Sequence, residues 1–185
     1  MDELASAQMA LTALRPVLRD LTDHQLRLPT PCPGFDVATL GDHLTGTIAM
    51  VGAAAASWPP EEMDGVGLAA RVERAAATAI DVWRRRGTGG DTVFNGRPMP
   101  APLSLGVLSI ELVVHGWDFA QALHRPLAIS AEHSTFVLDL ARRIITPDSR
   151  RTAGFDNAVA VGTDAAALDR LVAYTGRRPT AGQHQ

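Results

Sequence analysis

The chain has 185 residues, a formal net charge of −3 and 46% hydrophobic residues, which suits one compact domain with a sizeable core. The small negative charge argues against a general nucleic-acid binder, because phosphate binding needs a concentrated basic surface. The single cysteine, Cys32, excludes an intrachain disulfide and a thiolate zinc cluster within one chain.

No targeting or membrane segment is predicted. The amino terminus is acidic and then amphipathic, unlike a signal peptide. The most membrane-like stretch, 48–58, is too short to span a bilayer. We therefore expect a cytoplasmic protein with no membrane partner, in which residues 1–179 form one domain and residues 180–185 form a flexible tail.

The first helix is predicted from leucines that recur at spacings of three, four and seven between Leu4 and Leu21. Pro16 lies within this pattern and should kink or shorten the helix. Thr22 and Gln25 have the spacing of a capping box for a brief extra turn. The proline-rich segment 28–34 that follows cannot be helical and is predicted to be a stiff loop.

The second helix is predicted to begin after Asp36, a good N-cap, and to end near Trp58, before a loop at 61–67. His43 falls within its predicted inward stripe, between Leu40 and Leu44. A third helix follows at 68–83 with Gly87 as its C-terminal cap.

The next segment, 89–102, is rich in Gly and Pro, with a short extended piece predicted at 92–94 and a turn at Asn95-Gly96. A fourth helix is predicted at about 103–123. Ser130 should cap a fifth helix that Pro147 terminates, and 155–161 could be extended.

Thr163 or Asp164 should cap a last helix through Tyr174. These patterns predict an all-α fold: a four-helix bundle built from the four longest helices, with the last two helices added at one end.

Glu111 and His115 stand four residues apart, so their side chains share one face of the fourth helix. That face also carries leucines and a phenylalanine, which predicts the core side of an amphipathic helix. The residues concerned are Leu105, Leu108, Leu112 and Phe119. A carboxylate at such a position is costly unless a cation or a metal ion compensates its charge. His43 is a second polar residue on a predicted apolar face, and its ring nitrogens also need partners.

His43, Glu111 and His115 are therefore candidate metal ligands. Imidazole nitrogen and carboxylate oxygen suit borderline divalent metals, and three protein ligands leave positions open for water or substrate, as in catalytic zinc, iron, nickel or manganese sites. Two alternatives are a buried Glu111–His115 ion pair and a carboxylate that faces a wet crevice. Asp118 could orient a ring nitrogen of His115, be solvated, or pair with an arginine. Cys32 is expected near the rim of the site and inert.

Two segments carry a resemblance to a known family. Residues 30–37, Thr-Pro-Cys-Pro-Gly-Phe-Asp-Val, with the following Leu40 and His43-Leu44, resemble one signature of DinB/YfiT-like metal-binding proteins. Residues 111–120, Glu-Leu-Val-Val-His-Gly-Trp-Asp-Phe-Ala, resemble the second. The branch most similar is the metal-binding domain of mycothiol-dependent maleylpyruvate isomerase and its single-domain actinobacterial relatives. Segments near the C-terminus, 155–159 and 169–179, are also similar to those relatives.

The resemblance implies a DinB/YfiT-like bundle in which His43, Glu111 and His115 bind a divalent metal, zinc or nickel, with waters completing the shell. It implies a metal-dependent enzyme that uses a low-molecular-weight thiol such as mycothiol on an electrophilic substrate. The isomerase carries a further C-terminal domain that this chain is too short to contain, so maleylpyruvate isomerisation itself is not implied. The alternative is a non-catalytic metal-binding protein with a structural or sensing role, and a homodimer is suggested only by analogy.

Overall fold

The structure is a computed structural model that describes residues 1–56, 65–152 and 154–179. Within these residues the chain forms helices and one β-hairpin. In chain order the elements are α1 (Glu3–Val17), α2 (Asp23–Leu26), α3 (Val37–Ala55), α4 (Leu68–Arg86), β1 (Asp91–Phe94), β2 (Arg97–Pro100), α5 (Ala101–Leu123), α6 (Ala131–Ile144), α7 (Pro147–Thr152) and α8 (Ala167–Tyr174).

Four helices form the predicted bundle. Helix α1 packs against α5 and α4, and α3 packs against α4 and α5, so the four enclose a common core. Helix α6 lies against α5, and α8 lies against α6 and α5. One continuous hydrophobic cluster joins all of these helices. The prediction of an all-α, DinB-like fold is confirmed.

Local signals set most of the predicted helix starts. Thr22 and Gln25 form the predicted capping box of α2, and Asp36 accepts a hydrogen bond from the Thr39 N–H at the start of α3. Pro16 shortens α1, which ends one residue later at Val17, so the last leucines of the predicted pattern lie outside the helix. The predicted end of α3 near Trp58 falls outside the described residues, and its helical part ends at Ala55.

The extended piece predicted at 92–94 belongs to an antiparallel hairpin, in which Thr92 pairs with Met99. Asn95 and Gly96 form its turn with φ values of 49° and 75°. Two consecutive residues with positive φ are typical of the tight turn that joins two antiparallel strands. The hairpin packs against α3 and α5 beside the bundle.

The C-terminal part departs from the predictions in three places. Pro147 follows the end of α6, as predicted, but it also begins a further short helix, α7, that was not predicted. Helix α8 begins after Ala166, which has no side chain to cap it, so the predicted caps Thr163 and Asp164 are wrong. Residues 155–161 form no strand, and the predicted tail at 180–185 lies outside the described residues.

Helix α5 is buried on nearly every face, which corrects the prediction of an amphipathic helix. Ile110, Val113 and Val114, which lie off the predicted inward face, are as buried as Leu108 and Leu112. The helix is long and apolar enough to cross a membrane, but 94% of its most apolar stretch is buried inside the protein. A helix at the centre of a folded core can have the same length and apolar composition as a membrane-spanning helix.

Substitution by alanine at two glycines of α3 should change the free energy of unfolding in opposite directions. A Cβ on Gly41 would lie 2.3 Å from Leu68 Cδ1, at the contact between α3 and α4, whereas a Cβ on Gly46 would meet open space. We expect Gly46→Ala to raise the free energy of unfolding by about 0.5–1 kcal/mol. Gly41→Ala should lower it by about 1–2 kcal/mol because the contact is overpacked. Urea unfolding of both variants checks this, and a stabilised Gly41→Ala would contradict the packing of α3 on α4.

Candidate metal centre

The structure brings the three candidate ligands together. Helix α3 supplies His43, and α5 supplies Glu111 and His115 one turn apart. His115 Nε2 lies 3.2 Å from Glu111 Oε2, and His43 Nε2 lies 3.9 Å from the same oxygen. One ligand atom from each residue lies within 4.8 Å of the others.

His43 stands at the edge of this cluster, which corrects its predicted inward position. Its side chain is 42% exposed, while those of Glu111 and His115 are buried. The His43 ring lies between the rings of Phe35 and His115, with 5.2 Å between ring centroids on each side. The cluster therefore has two buried members and opens to solvent beside the third.

The donor atoms fit a divalent metal ion. Glu111 Oε2 is buried and makes no hydrogen bond, even though His115 Nε2 is close. Ligand atoms about 2.0–2.2 Å from a tetrahedral ion lie about 3.3–3.6 Å apart, near the 3.2 Å and 3.9 Å separations found here. The same arrangement also satisfies the alternative of a Glu111–His115 ion pair when His115 is protonated.

Asp118 holds the ring of His115 from the opposite side. Its Oδ2 lies 3.0 Å from His115 Nδ1, and the carboxylate is fully buried. A carboxylate at this nitrogen keeps a proton on Nδ1, so Nε2, which faces Glu111, is the nitrogen that a metal ion would bind. Asp118 therefore orients a ring nitrogen, which was one of the three interpretations of this residue.

Asp118 is also paired with an arginine, as one of the predicted alternatives proposed. Its burial rules out the alternative of a solvated carboxylate. Arg177 donates from Nε to Oδ1 at 3.2 Å and from Nη2 to Oδ2 at 2.8 Å. The guanidinium is 6% exposed and also donates from Nη1 to the Thr175 carbonyl. The backbone N–H of Arg177 donates to the Val172 carbonyl, which fixes this segment against the end of α8.

The role of Arg177 was missed by sequence reasoning. It lies beyond the last helix, where no periodic pattern assigns a side chain to the core. The only sequence feature that pointed to Arg177 was its position in the C-terminal segment that resembles the single-domain relatives.

The charges of the cluster follow from these contacts. Burial disfavours a charged His115, but its interactions with Asp118 and Glu111 outweigh burial and raise its pKa to about 9. Burial raises the pKa of the Glu111 and Asp118 carboxyls. Contacts with His115, and the positive charge of Arg177, more than offset burial, so both pKa values lie below the usual range. Burial lowers the pKa of His43. A metal ion that binds Nε2 must therefore displace a proton from His115.

Cys32 lies beside the cluster, as expected. Its sulfur and one ligand atom each of His115 and Asp118 lie within 4.8 Å of one another. Burial raises the pKa of its thiol to about 11, so the thiol is protonated at neutral pH. Both oxygens of Asp118 are already bound by Arg177 and His115. This second group is thus a poorer ligand set than His43, Glu111 and His115.

Comparison with known proteins identifies the family. Residues 7–120 match the family model described as "Mycothiol maleylpyruvate isomerase N-terminal domain". The chain belongs to this family. Two similar proteins are the "Uncharacterized protein MT0763" and the "Uncharacterized protein Rv0738" of Mycobacterium tuberculosis, from strains CDC 1551 and H37Rv. Each is 29% identical over 183 residues, which cover 96% of this chain and 98% of the relative. No solved structure matches the chain.

The matched range contains the candidate ligands and Asp118 but stops well before Arg177. The arginine that neutralises Asp118 therefore lies outside the part of the chain that defines the family.

The buried Asp118–Arg177 pair can be tested by removing one or both charges. Arg177→Met leaves a buried carboxylate with one partner fewer and should lower the free energy of unfolding by about 3–5 kcal/mol. Adding Asp118→Asn should restore more than half of this loss, because no unpaired charge remains. The measurement is chemical unfolding of the single and double variants.

The matched control is Arg142→Met, which breaks the exposed Arg142–Asp139 pair. Its effect should stay below about 1 kcal/mol. An equally small effect of Arg177→Met would show that the buried pair does not stabilise the fold.

Proposed function

We propose that this protein is a divalent-metal-dependent enzyme that uses a low-molecular-weight thiol, such as mycothiol, for thiol transfer to an electrophilic substrate or for an isomerisation through reversible thiol addition. His43, Glu111 and His115 would hold the metal, zinc or nickel, in a cytoplasmic protein. The observation that carries the proposal is the buried Glu111 Oε2, which has no hydrogen bond and faces two imidazole nitrogens. The family's description, which names mycothiol, supports the choice of thiol.

Each residue of the cluster has a distinct task in this proposal. Glu111 and His115 supply an anionic oxygen and a neutral nitrogen from one buried helix face. Asp118 and Arg177 hold the His115 ring in one orientation. When bound, the metal would favour the thiolate form of a coordinating thiol, which is the nucleophilic form.

The open edge of the cluster favours an enzyme over a structural metal site. Structural zinc is almost always enclosed by four protein ligands, whereas catalytic zinc keeps a position for water or substrate. Three candidate ligands are present, and the half-exposed His43 leaves an approach from solvent. A small thiol can reach the cluster from this side without displacing the core.

Metal content tests the ligand assignment. Untagged protein purified after metal supplementation should contain about one divalent ion per chain by elemental analysis. His43→Ala should lose most of this metal and, because His43 is partly exposed, should remain folded. His115→Ala should lose it as well. His24→Ala is the matched control, since His24 is exposed on α2 and should leave the metal content unchanged. A parent protein without stoichiometric metal would refute the proposal.

Thiol binding tests the chemistry. With cobalt(II) in the site, mycothiol should produce a sulfur-to-metal charge-transfer band, and the band should be absent in His43→Ala. Turnover of a thiol-reactive electrophile should depend on the same metal. A bound metal that accepts no thiol, and whose removal unfolds the protein, would instead support the structural alternative.

A further inference from the structure

A cavity lies between α6, α8 and the segment 158–163 that precedes α8. It has a volume of about 480 Å³, within the range of small-molecule sites, about 300–1,000 Å³. Arg142 of α6 and Arg170 of α8 line it from two different helices. None of its lining residues is a candidate metal ligand, so the cavity is separate from the metal centre.

Arg170 has no partner for its charge among the described residues. It is partly buried, and its Nε is enclosed and makes no hydrogen bond. No described carboxylate forms an ion pair with it, unlike Arg71 and Arg177. An arginine remains charged at physiological pH, and a partly buried charge is costly when nothing compensates it. Because Nε is enclosed, the terminal Nη groups are the part of the guanidinium that a ligand in the cavity can reach.

The second arginine of the cavity is only weakly held. Arg142 pairs with Asp139 at 3.3 Å, but the two side chains are 57% and 64% exposed. An exposed ion pair of this kind contributes little to stability, so Arg142 can exchange it for a ligand of higher charge. Asp139 does not line the cavity, and none of the described lining residues is acidic. The wall therefore carries two positive charges and no negative charge.

The rest of the wall is largely apolar. Leu138, Val159 and Val161 contribute aliphatic side chains, and Tyr174 lies beside them. The Tyr174 hydroxyl already donates to the Ile145 carbonyl, so this residue offers its ring to a ligand rather than a hydrogen-bond donor. A ligand that fits this wall combines an anionic group with an apolar body.

The two arginines favour a phosphate monoester over a carboxylate. Near neutral pH a phosphate monoester carries about −1.5 to −2 charges on three acceptor oxygens, whereas a carboxylate carries a single charge on two oxygens. The N–H groups of a guanidinium bind phosphate oxygens in pairs. A phosphate therefore matches two guanidinium groups both in charge and in the number of acceptors.

We propose that this cavity binds a small phosphate monoester with an apolar body. The phosphate accepts hydrogen bonds from Arg142 and from the Nη groups of Arg170, and the apolar body lies against Leu138 and Val159. The site does not depend on the proposed metal chemistry, because it shares no residue with the metal centre.

Phenyl phosphate is the probe, and phenyl sulfate is the control of nearly the same shape with a single negative charge. Isothermal titration of the full chain, treated with chelator, is carried out at about pH 8, where the phosphate is a dianion. Phenyl phosphate should bind at least about tenfold more tightly than phenyl sulfate. It should also bind more tightly than inorganic phosphate, which lacks the apolar body. Equal affinity for phenyl phosphate and either control would overturn the proposal.

Charge removal tests the two arginines. Arg170→Met and Arg142→Met should each weaken phenyl phosphate binding about tenfold. Both variants should remain folded, because Arg170 has no partner to lose and Arg142 loses only an exposed pair. Arg143→Met is the matched control, since Arg143 is exposed on the same helix and does not line the cavity. Unchanged binding in Arg170→Met, or an equal loss in Arg143→Met, would contradict the assignment.

His43→Ala separates this proposal from the metal centre. Phenyl phosphate binding should persist in this variant, because no residue of the cavity belongs to the metal cluster. Loss of binding would place the phosphate at the metal cluster and refute the second site. Retained binding in a protein that holds no metal would support the cavity even if the proposed enzyme function fails.

Discussion

The buried carboxylate of Asp118 is the constraint on which the candidate metal centre depends. A fully buried charge is tolerated only when it is paired and hydrogen-bonded, and Asp118 meets this condition through Arg177 and His115. With both oxygens already accepting hydrogen bonds, Asp118 is a poorer ligand than Glu111, whose Oε2 accepts none. Asp118 instead sets the orientation of His115, so that Nε2 faces Glu111. The electrostatics of one carboxylate thus decide which atoms of the neighbouring groups are available for a metal.

The loop before α3 shapes the open side of the centre. The Thr30 N–H donates to the Phe35 carbonyl, and the Phe35 N–H donates to the Cys32 carbonyl, so this loop is closed on itself. Asp36 then caps α3. The result places Phe35 against His43, and Cys32 beside His115. The first signature segment therefore has a physical role: a stiff loop holds one wall of the site while the buried helix α5 holds the other.

The sequence was most informative where local chemistry decides the structure. Asp36 and Ser130 cap helices as predicted, because a short polar side chain satisfies the first N–H groups of a helix wherever the rest of the chain lies. The spacing of Glu111 and His115 likewise predicts their common face, because residues four apart lie on the same side of any α-helix. The predicted start of α8 was wrong. Ala166 makes no local capping contact, so tertiary packing sets this boundary instead.

The features of the site that the sequence did not predict depend on contacts between residues that are distant in the chain. Arg177 lies 59 positions from Asp118, and no local pattern links the two. The exposure of His43 depends on how Phe35 and α5 cover the face of α3, which periodicity alone does not contain. These contacts also extend the packed core beyond α8. The last helix ends at Tyr174, but the charge that neutralises the core comes three residues later. A fragment or fusion designed from helix boundaries would keep every helix and still leave a buried anion without its main counterion.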